Sequence, residues 1–278
     1  MKKLREIVSA KWLNKNLSKP NLIVLDASIE SNASGKEFEE FDCTIPGARR
    51  FDLKNVFLDK SSPFPDTVPK PQEFELQCRR LGINQNSEII VFENNGIYSS
   101  PRVWWLFNVM GHKEIFVLDG GLLNWIKEGF QTENEHLETF QTGNFKAKYN
   151  ESLVVKLEQI KENTIQKKFL IADARSEGRF NGTESEPRRH LKSGKIPNSV
   201  NIPFQEVLNN GKFKTKNQLR ELFEGKCGGE KELVFSCGSG LTACIIMLAN
   251  KISYGNSLRI YDGSWTEWAE LNNLKNII

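Results

Sequence analysis

Short, nearly unbroken apolar runs punctuate this chain, and they come in two matching sets. Asn21-Leu-Ile-Val-Leu-Asp-Ala-Ser28 is answered by Lys168-Phe-Leu-Ile-Ala-Asp-Ala-Arg175, each closing in Asp-Ala. Thr44-Ile-Pro-Gly-Ala48 is answered by Lys195-Ile-Pro-Asn-Ser199, and Ile89-Ile-Val-Phe-Glu93 by Leu233-Val-Phe-Ser236. Ile115-Phe-Val-Leu-Asp-Gly-Gly-Leu-Leu-Asn-Trp125 returns as Leu258-Arg-Ile-Tyr-Asp-Gly-Ser-Trp-Thr-Glu-Trp268. The offsets are 147 for Asp26/Asp173, 151 for Pro46/Pro197, and 143 for Asp119/Asp262 and Trp125/Trp268. Chance similarity of strands does not produce four ordered matches at near-constant offset, so the domain is duplicated.

Runs that are apolar throughout suit strands buried on both faces, and here they alternate with segments of helical period. Val8 to Leu13 predicts a cap and first helical turn. Each copy therefore predicts an α/β fold, a mostly parallel sheet with helices on both faces. Residues 131–150 are polar and aperiodic. The expected organisation is an N-terminal domain over 1–135, a linker over 136–150 and a C-terminal domain over 151–278. Ser61 to Pro71 is a proline-rich loop in the first copy. It is either a rigid strap over the partner domain or a surface loop.

Composition closes several alternatives. The 278 residues are 38% hydrophobic and 26% charged, enough for two ordinary cores. With 38 basic and 35 acidic side chains the net charge is +3, too balanced to argue for nucleic acid or a membrane surface. No apolar run approaches the roughly 20 residues of a membrane-crossing helix. The basic N-terminus lacks an apolar stretch and a small-residue cleavage site, so no secretory signal is expected. A mitochondrial address stays open, although Glu6 argues against it. The five cysteines, Cys43, Cys78, Cys227, Cys237 and Cys244, are few and irregularly spaced. That is the usage of a reducing compartment such as the cytoplasm, not a disulfide framework or zinc set. The three histidines lack metal-binding spacing, and no metal or organic cofactor is expected.

The chemistry concentrates in Leu233-Val-Phe-Ser-Cys-Gly-Ser-Gly-Leu-Thr-Ala-Cys-Ile-Ile-Met-Leu-Ala249. An apolar strand gives way to an apolar helix across Cys237, Gly238, Ser239 and Gly240. Glycines let successive N–H groups curl inward as an anion nest, and the helix dipole adds to its field. Both favour a thiolate, the reactive form of cysteine. The alternative is a buried cysteine in a glycine-containing turn. Open α/β sheets place their ligands at such strand-to-helix loops, which favours chemistry. The first copy has Asn94-Asn-Gly-Ile-Tyr-Ser-Ser-Pro-Arg102 after its strand, without a cysteine. It predicts a structural partner.

A tandem with a reactive cysteine only in its second half resembles the rhodanese-type sulfurtransferases, over roughly Ser9 to Leu274. Within that family the Cys-Gly-Ser-Gly-Leu-Thr-Ala loop is similar to that of 3-mercaptopyruvate sulfurtransferases. Thiosulfate-specific members usually carry basic residues after the cysteine, where Gly238 and Ser239 stand here. Asp173 to Arg188, Ser100 to Trp105 and Tyr261 to Trp268 also match the family. The resemblance implies ping-pong sulfur transfer. Cys237 takes sulfur from 3-mercaptopyruvate as a persulfide, pyruvate leaves, and a thiol acceptor such as thioredoxin, or cyanide in an assay, removes the sulfur. The loop from Gly238 through Gly240, Leu241 and Thr242 would surround the terminal sulfur. Arg179 and Arg188 match the family's carboxylate- and keto-binding arginines, against the alternative of salt bridges with Glu177, Glu184 or Glu186. Arg189 ranks below Arg188. Ser239 matches a member of a proton relay, or is a hydroxyl bonded to its own loop. Cys244, seven residues on, reads as a core thiol, and Cys43 and Cys78 as incidental.

Thr44 and Lys195 stand where the family commonly writes histidine. The first-domain histidine belongs to that relay, so Thr44 is expected to slow proton-transfer steps while leaving Cys237 competent. Asp42 and His190 have no clear place. Other readings are a thiosulfate sulfurtransferase and a persulfide carrier without turnover. A cysteine phosphatase needs arginine after five intervening residues, and Ala243 stands there.

Overall fold

The computed structural model describes residues 6–31, 38, 40–228, 232–254 and 257–274. The first copy contributes β1 (Ile7–Val8), β2 (Leu22–Asp26), β3 (Arg49–Arg50), β4 (Glu88–Phe92) and β5 (Ile115–Leu118), with α1 (Ala10–Asn14), α2 (Pro71–Arg80), α3 (Ser100–Val109) and α4 (Gly121–Lys127). The second contributes β6 (Val154–Val155), β7 (Leu170–Asp173), β8 (Ser199–Asn201), a hairpin of β9 (Leu208–Asn209) and β10 (Lys212–Phe213), β11 (Leu233–Ser236) and β12 (Ile260–Tyr261). Its helices are α5 (Leu157–Gln166), α6 (Glu177–Asn181), α7 (Lys216–Cys227), α8 (Ala243–Tyr254) and α9 (Ser264–Leu271). The five-stranded sheets run β1-β5-β4-β2-β3 and β6-β12-β11-β7-β8, the same order twice, with every pair parallel. The duplication read from the sequence is thus a duplication of topology.

The period of two within each apolar run assigns side chains to two different cores. Ile23, Leu25, Ile89 and Val91 face the same core as Leu170, Ala172, Leu233 and Phe235 of the other sheet. Val24, Ile90 and Phe92 face outward onto α1 and α4, while Ile171 and Val234 face α5 and α9. The central core is filled by α2, α3, α7 and α8, and α3 packs directly on its counterpart α8. Among the described residues no helix is long and apolar enough to cross a membrane.

The two halves clasp one another through equivalent residues. The Asp119 carboxylate accepts from the Phe213 amide at 3.0 Å, and the Asp262 carboxylate from the Val68 amide at 2.8 Å. Gly96, at φ +89°, lies so close to Gly211 that a Cβ would sit 2.8 Å from the Gly211 oxygen. The polar stretch 131–150 follows a fixed path over the first domain. Thr44 and Glu133 exchange main-chain bonds, the Leu137 amide donates to Ala48, and Phe145 is fully buried with its amide on Ile83. Polar side chains face water there while main-chain bonds do the tethering, and that leaves no period in the sequence.

Candidate active site

Cys237 follows the last residue of β11 and precedes α8, at the carboxyl edge of the second sheet. It is buried, and it borders a cavity of about 950 Å³ between the two domains. Its amide donates to Ser264 Oγ at 3.1 Å and its carbonyl accepts from Trp265 at 2.9 Å. The Gly238 carbonyl accepts from the Thr266 amide and hydroxyl. The loop's carbonyls are thereby turned away into the start of α9. Among the described residues no protein acceptor meets the amides of Gly238 to Thr242. Gly240 has φ +80°, and a Cβ there would sit 2.9 Å from the Asp262 oxygen, so only glycine allows this curl.

The first domain shows what such a loop holds. In the strand register Asp26 pairs with Phe92, and Asp173 with Ser236, so Glu93 is the structural counterpart of Cys237. The main chain agrees: Leu122 donates to the Glu93 oxygen as Trp265 does to Cys237. The Glu93 carboxylate turns into its own loop and accepts from the amides of Tyr98, Ser99 and Ser100 at 2.7, 2.7 and 2.8 Å, and from Ser100 Oγ at 2.8 Å. Burial pushes this carboxyl up, and the amides pull it partway back. In the first copy the strand-to-helix loop is an anion cradle, filled by the protein's own carboxylate.

Around Cys237 the cavity is lined by Gly238, Ser239, Leu241 and Thr242 from its loop and by Arg179 and Arg189 from α6 and the segment after it. Gly240 lies behind the loop, where its carbonyl accepts from Cys244 Sγ at 3.3 Å and Arg102 Nη1 at 3.4 Å. Arg179 is half an ion pair, as the alternative reading had it. Its Nε and Nη2 donate to Glu186 Oε2 at 3.1 and 2.6 Å. That carboxylate is also held by the fully buried Arg175. Pinned this way, Arg179 lies against Gly238, where a Cβ would meet Nη2 at 3.0 Å, and Nη1 meets no protein acceptor among the described residues.

Arg188 and Arg189 are not placed as the sequence ranked them. Arg189 borders the Cys237 cavity, whereas Arg188 borders a neighbouring hollow with Arg50, Asp52 and Lys60. Consecutive side chains on a turn point to opposite sides. Thr44 is likewise elsewhere: it is buried, bonded to Glu133 and 3.5 Å from His136, and borders no part of the cavity. The expectation that Thr44 governs a relay at Cys237 is corrected on that ground. Lys195 lies over the Phe180 ring, and His190 pairs with Glu270 at 2.5 Å. Cys244 is a buried thiol pushed up to about 12, chiefly by desolvation.

The sequence did not single out the first-domain side of the cavity. The proline-rich loop is the strap rather than a free surface loop. From it Asp66 Oδ2 accepts the Ser239 hydroxyl at 2.7 Å, and Asp66 Oδ1 pairs with Lys54 at 2.6 Å. Arg102 holds the Asp66 carbonyl and pairs with Asp262 at 2.7 Å. Tyr98 borders the cavity against Phe204 and Phe38, with ring centroids 5.6 and 5.0 Å away. Burial pushes the Tyr98 hydroxyl up. The run of prolines around Asp66 was the available signal, since proline fixes a loop where function needs it stiff.

The chain resembles known proteins along most of its length. The Rhodanese-like domain profile matches residues 9–128 and 156–271. The chain is 37% identical to the human 3-mercaptopyruvate sulfurtransferase, over 95% of this chain and 92% of that protein. It is 38% identical to the bovine thiosulfate sulfurtransferase, over 95% and 92%. The crystal structure of SseA from Escherichia coli, described as a 3-mercaptopyruvate sulfotransferase with the rhodanese fold, superposes with a TM-score of 0.83 at 31% identity, covering 94% of this chain and 99% of that one.

Proposed function

Because this chain belongs to the rhodanese-like domain family, in tandem, we propose that it is a sulfurtransferase that moves sulfur from 3-mercaptopyruvate to a thiol acceptor through a persulfide on Cys237. The observation that carries the reading is that Cys237 and Arg179 border one cavity, with Arg179 Nη2 lying against Gly238 of the cysteine loop. The catalytic unit is 151–278, with 1–135 as a nucleophile-free partner and 136–150 as the connection.

The Cys237 thiolate attacks the donor sulfur, and an S–S bond forms as the C–S bond breaks. The electron pair of that bond leaves on C3 as the enolate of pyruvate, which takes up the proton carried by the donor thiol. Cys237 is left as a persulfide anion facing the amides of Gly238 to Thr242. Arg179 and Arg189 hold the donor's carboxylate and keto oxygen, a planar match that lysine does not offer. A small thiol or a dithiol protein such as thioredoxin then attacks the outer sulfur. Unpaired cysteines suit a reducing compartment, and the cytoplasm is the proposed location.

Thiosulfate as principal donor is the second reading, favoured by the comparable identity to the bovine thiosulfate sulfurtransferase, 38% against 37%. Against it, Gly238 and Ser239 supply no cation next to the nucleophile. The deciding experiment is sulfur transfer to cyanide from each donor, with Cys237→Ser as control. Turnover with 3-mercaptopyruvate well above thiosulfate, lost in the variant, supports the proposal, and the reverse preference overturns the donor assignment. A persulfide without turnover from either donor would mean a carrier.

A further inference from the structure

Asp66 reaches the nucleophile loop from the other domain. Ser239 donates its one hydroxyl hydrogen to Asp66 Oδ2 at 2.7 Å, and Ser239 and Asp66 both border the Cys237 cavity. Lys54 fixes the other carboxylate oxygen at 2.6 Å, and Arg102 grips the Asp66 carbonyl. Burial acting alone would raise the Asp66 carboxyl; Lys54 and Ser239 outweigh it and keep the group low, hence ionised at neutral pH. A hydroxyl whose hydrogen is committed to a carboxylate offers its neighbours only lone pairs. Ser239 can therefore accept a hydrogen bond in the cavity but not donate one.

We infer that Asp66, acting through Ser239, is a positioning residue that selects donors whose transferable sulfur carries a proton. A thiol donor gives its S–H to Ser239 Oγ, which orients the sulfur for attack by Cys237. A donor with a bare anionic terminal sulfur, such as thiosulfate, meets a lone pair backed by a carboxylate, an unfavourable contact for an acceptor-only group. The inference rests on the sulfurtransferase reading, but it concerns the ratio between donors and not their absolute rates.

The test compares 3-mercaptopyruvate and thiosulfate in the full-length wild type, Asp66→Asn, Ser239→Ala and the double variant, by transfer to cyanide. Asparagine keeps the shape of aspartate, and its amide can donate to Ser239 and release the hydroxyl hydrogen. In Asp66→Asn the ratio of kcat/KM for mercaptopyruvate to that for thiosulfate should fall by about 100-fold, from roughly tenfold losses and gains of one charge-assisted hydrogen bond each. With Ser239→Ala already present, Asp66→Asn should move the ratio by less than about threefold. A parallel loss with both donors, or no change with either, overturns the inference, because a merely structural role moves both alike. A ratio shift that persists in the Ser239→Ala background also overturns it, since the charge of Asp66 would then act directly. Preference of the wild type for thiosulfate would sink the proposed function while leaving the shift on substitution measurable.

Discussion

Glu93 and Cys237 occupy the same place in two copies of one fold, and the two copies use that place differently. Both follow the central strand, both have their carbonyls held by the first turn of the last helix of their copy, α4 or α9, and both precede a strand-to-helix loop. In the first copy the loop amides are spent on a carboxylate that is part of the chain. In the second, among the described residues, the amides of Gly238 to Thr242 meet no protein acceptor, and the loop borders a cavity shared with Arg179 and Arg189. One loop is a finished structural anion nest, and the other opens on a cavity.

The largest effect expected from breaking this comparison is on turnover. Cys237→Ser should lower sulfur transfer by at least about a thousandfold. Adding Glu93→Cys to that variant should restore none of it, because position 93 does not border the cavity that Arg179 and Arg189 line. Mass spectrometry after donor treatment should find no persulfide at position 93, and a persulfide there would show that the cradle alone suffices. Stability should respond in the opposite sense. Glu93→Ala strands three buried amides and should cost about 3 kcal/mol, whereas Cys237→Ala should cost under about 1 kcal/mol, read from urea midpoints.

The strand-end aspartates offer a subtler contrast. Asp173 is clamped by the guanidinium of Arg175, with bonds of 3.1 Å from Nε and 2.7 Å from Nη2, while Asp26 accepts from Ser28 and from His136 at 2.7 Å. Burial would raise Asp26, but the bonds from His136 and Ser28 outweigh it and hold the carboxyl below its ordinary 3.8. A lowered folded value stabilises the protein above the unfolded value, and that contribution is lost as pH falls through the folded one. Asp26→Asn should therefore cost roughly 1–2 kcal/mol above about pH 5, with the gap closing as pH drops toward 3. The smallest effect belongs to Thr44→His. It should leave donor kinetics and the pH–rate profile within about twofold, since nothing at position 44 borders the cavity. A larger change would mean that the cavity communicates with the Asp26 cluster.

The apolar runs, their order and their repetition determined the parallel α/β fold and its duplication, because burial on both faces of a sheet leaves a composition that reads directly as a strand. The glycines around Cys237 marked the reactive loop for the same local reason: a curl with φ +80° at Gly240 needs the residue without a side chain. Contacts between distant segments left no such mark. In the residue pattern Ser236 stands opposite Glu93; the ladder shifts the pairing by one residue and puts Cys237 there, and hydrogen-bond register is settled by neighbouring strands. Arg188 and Arg189 are one residue apart, yet the turn aims them into different hollows. Asp66 and Ser239 are 173 positions apart and meet only because the strap crosses between domains. Local chemistry is written in neighbouring residues, whereas the partners of an active site are chosen by the packing of one domain on another.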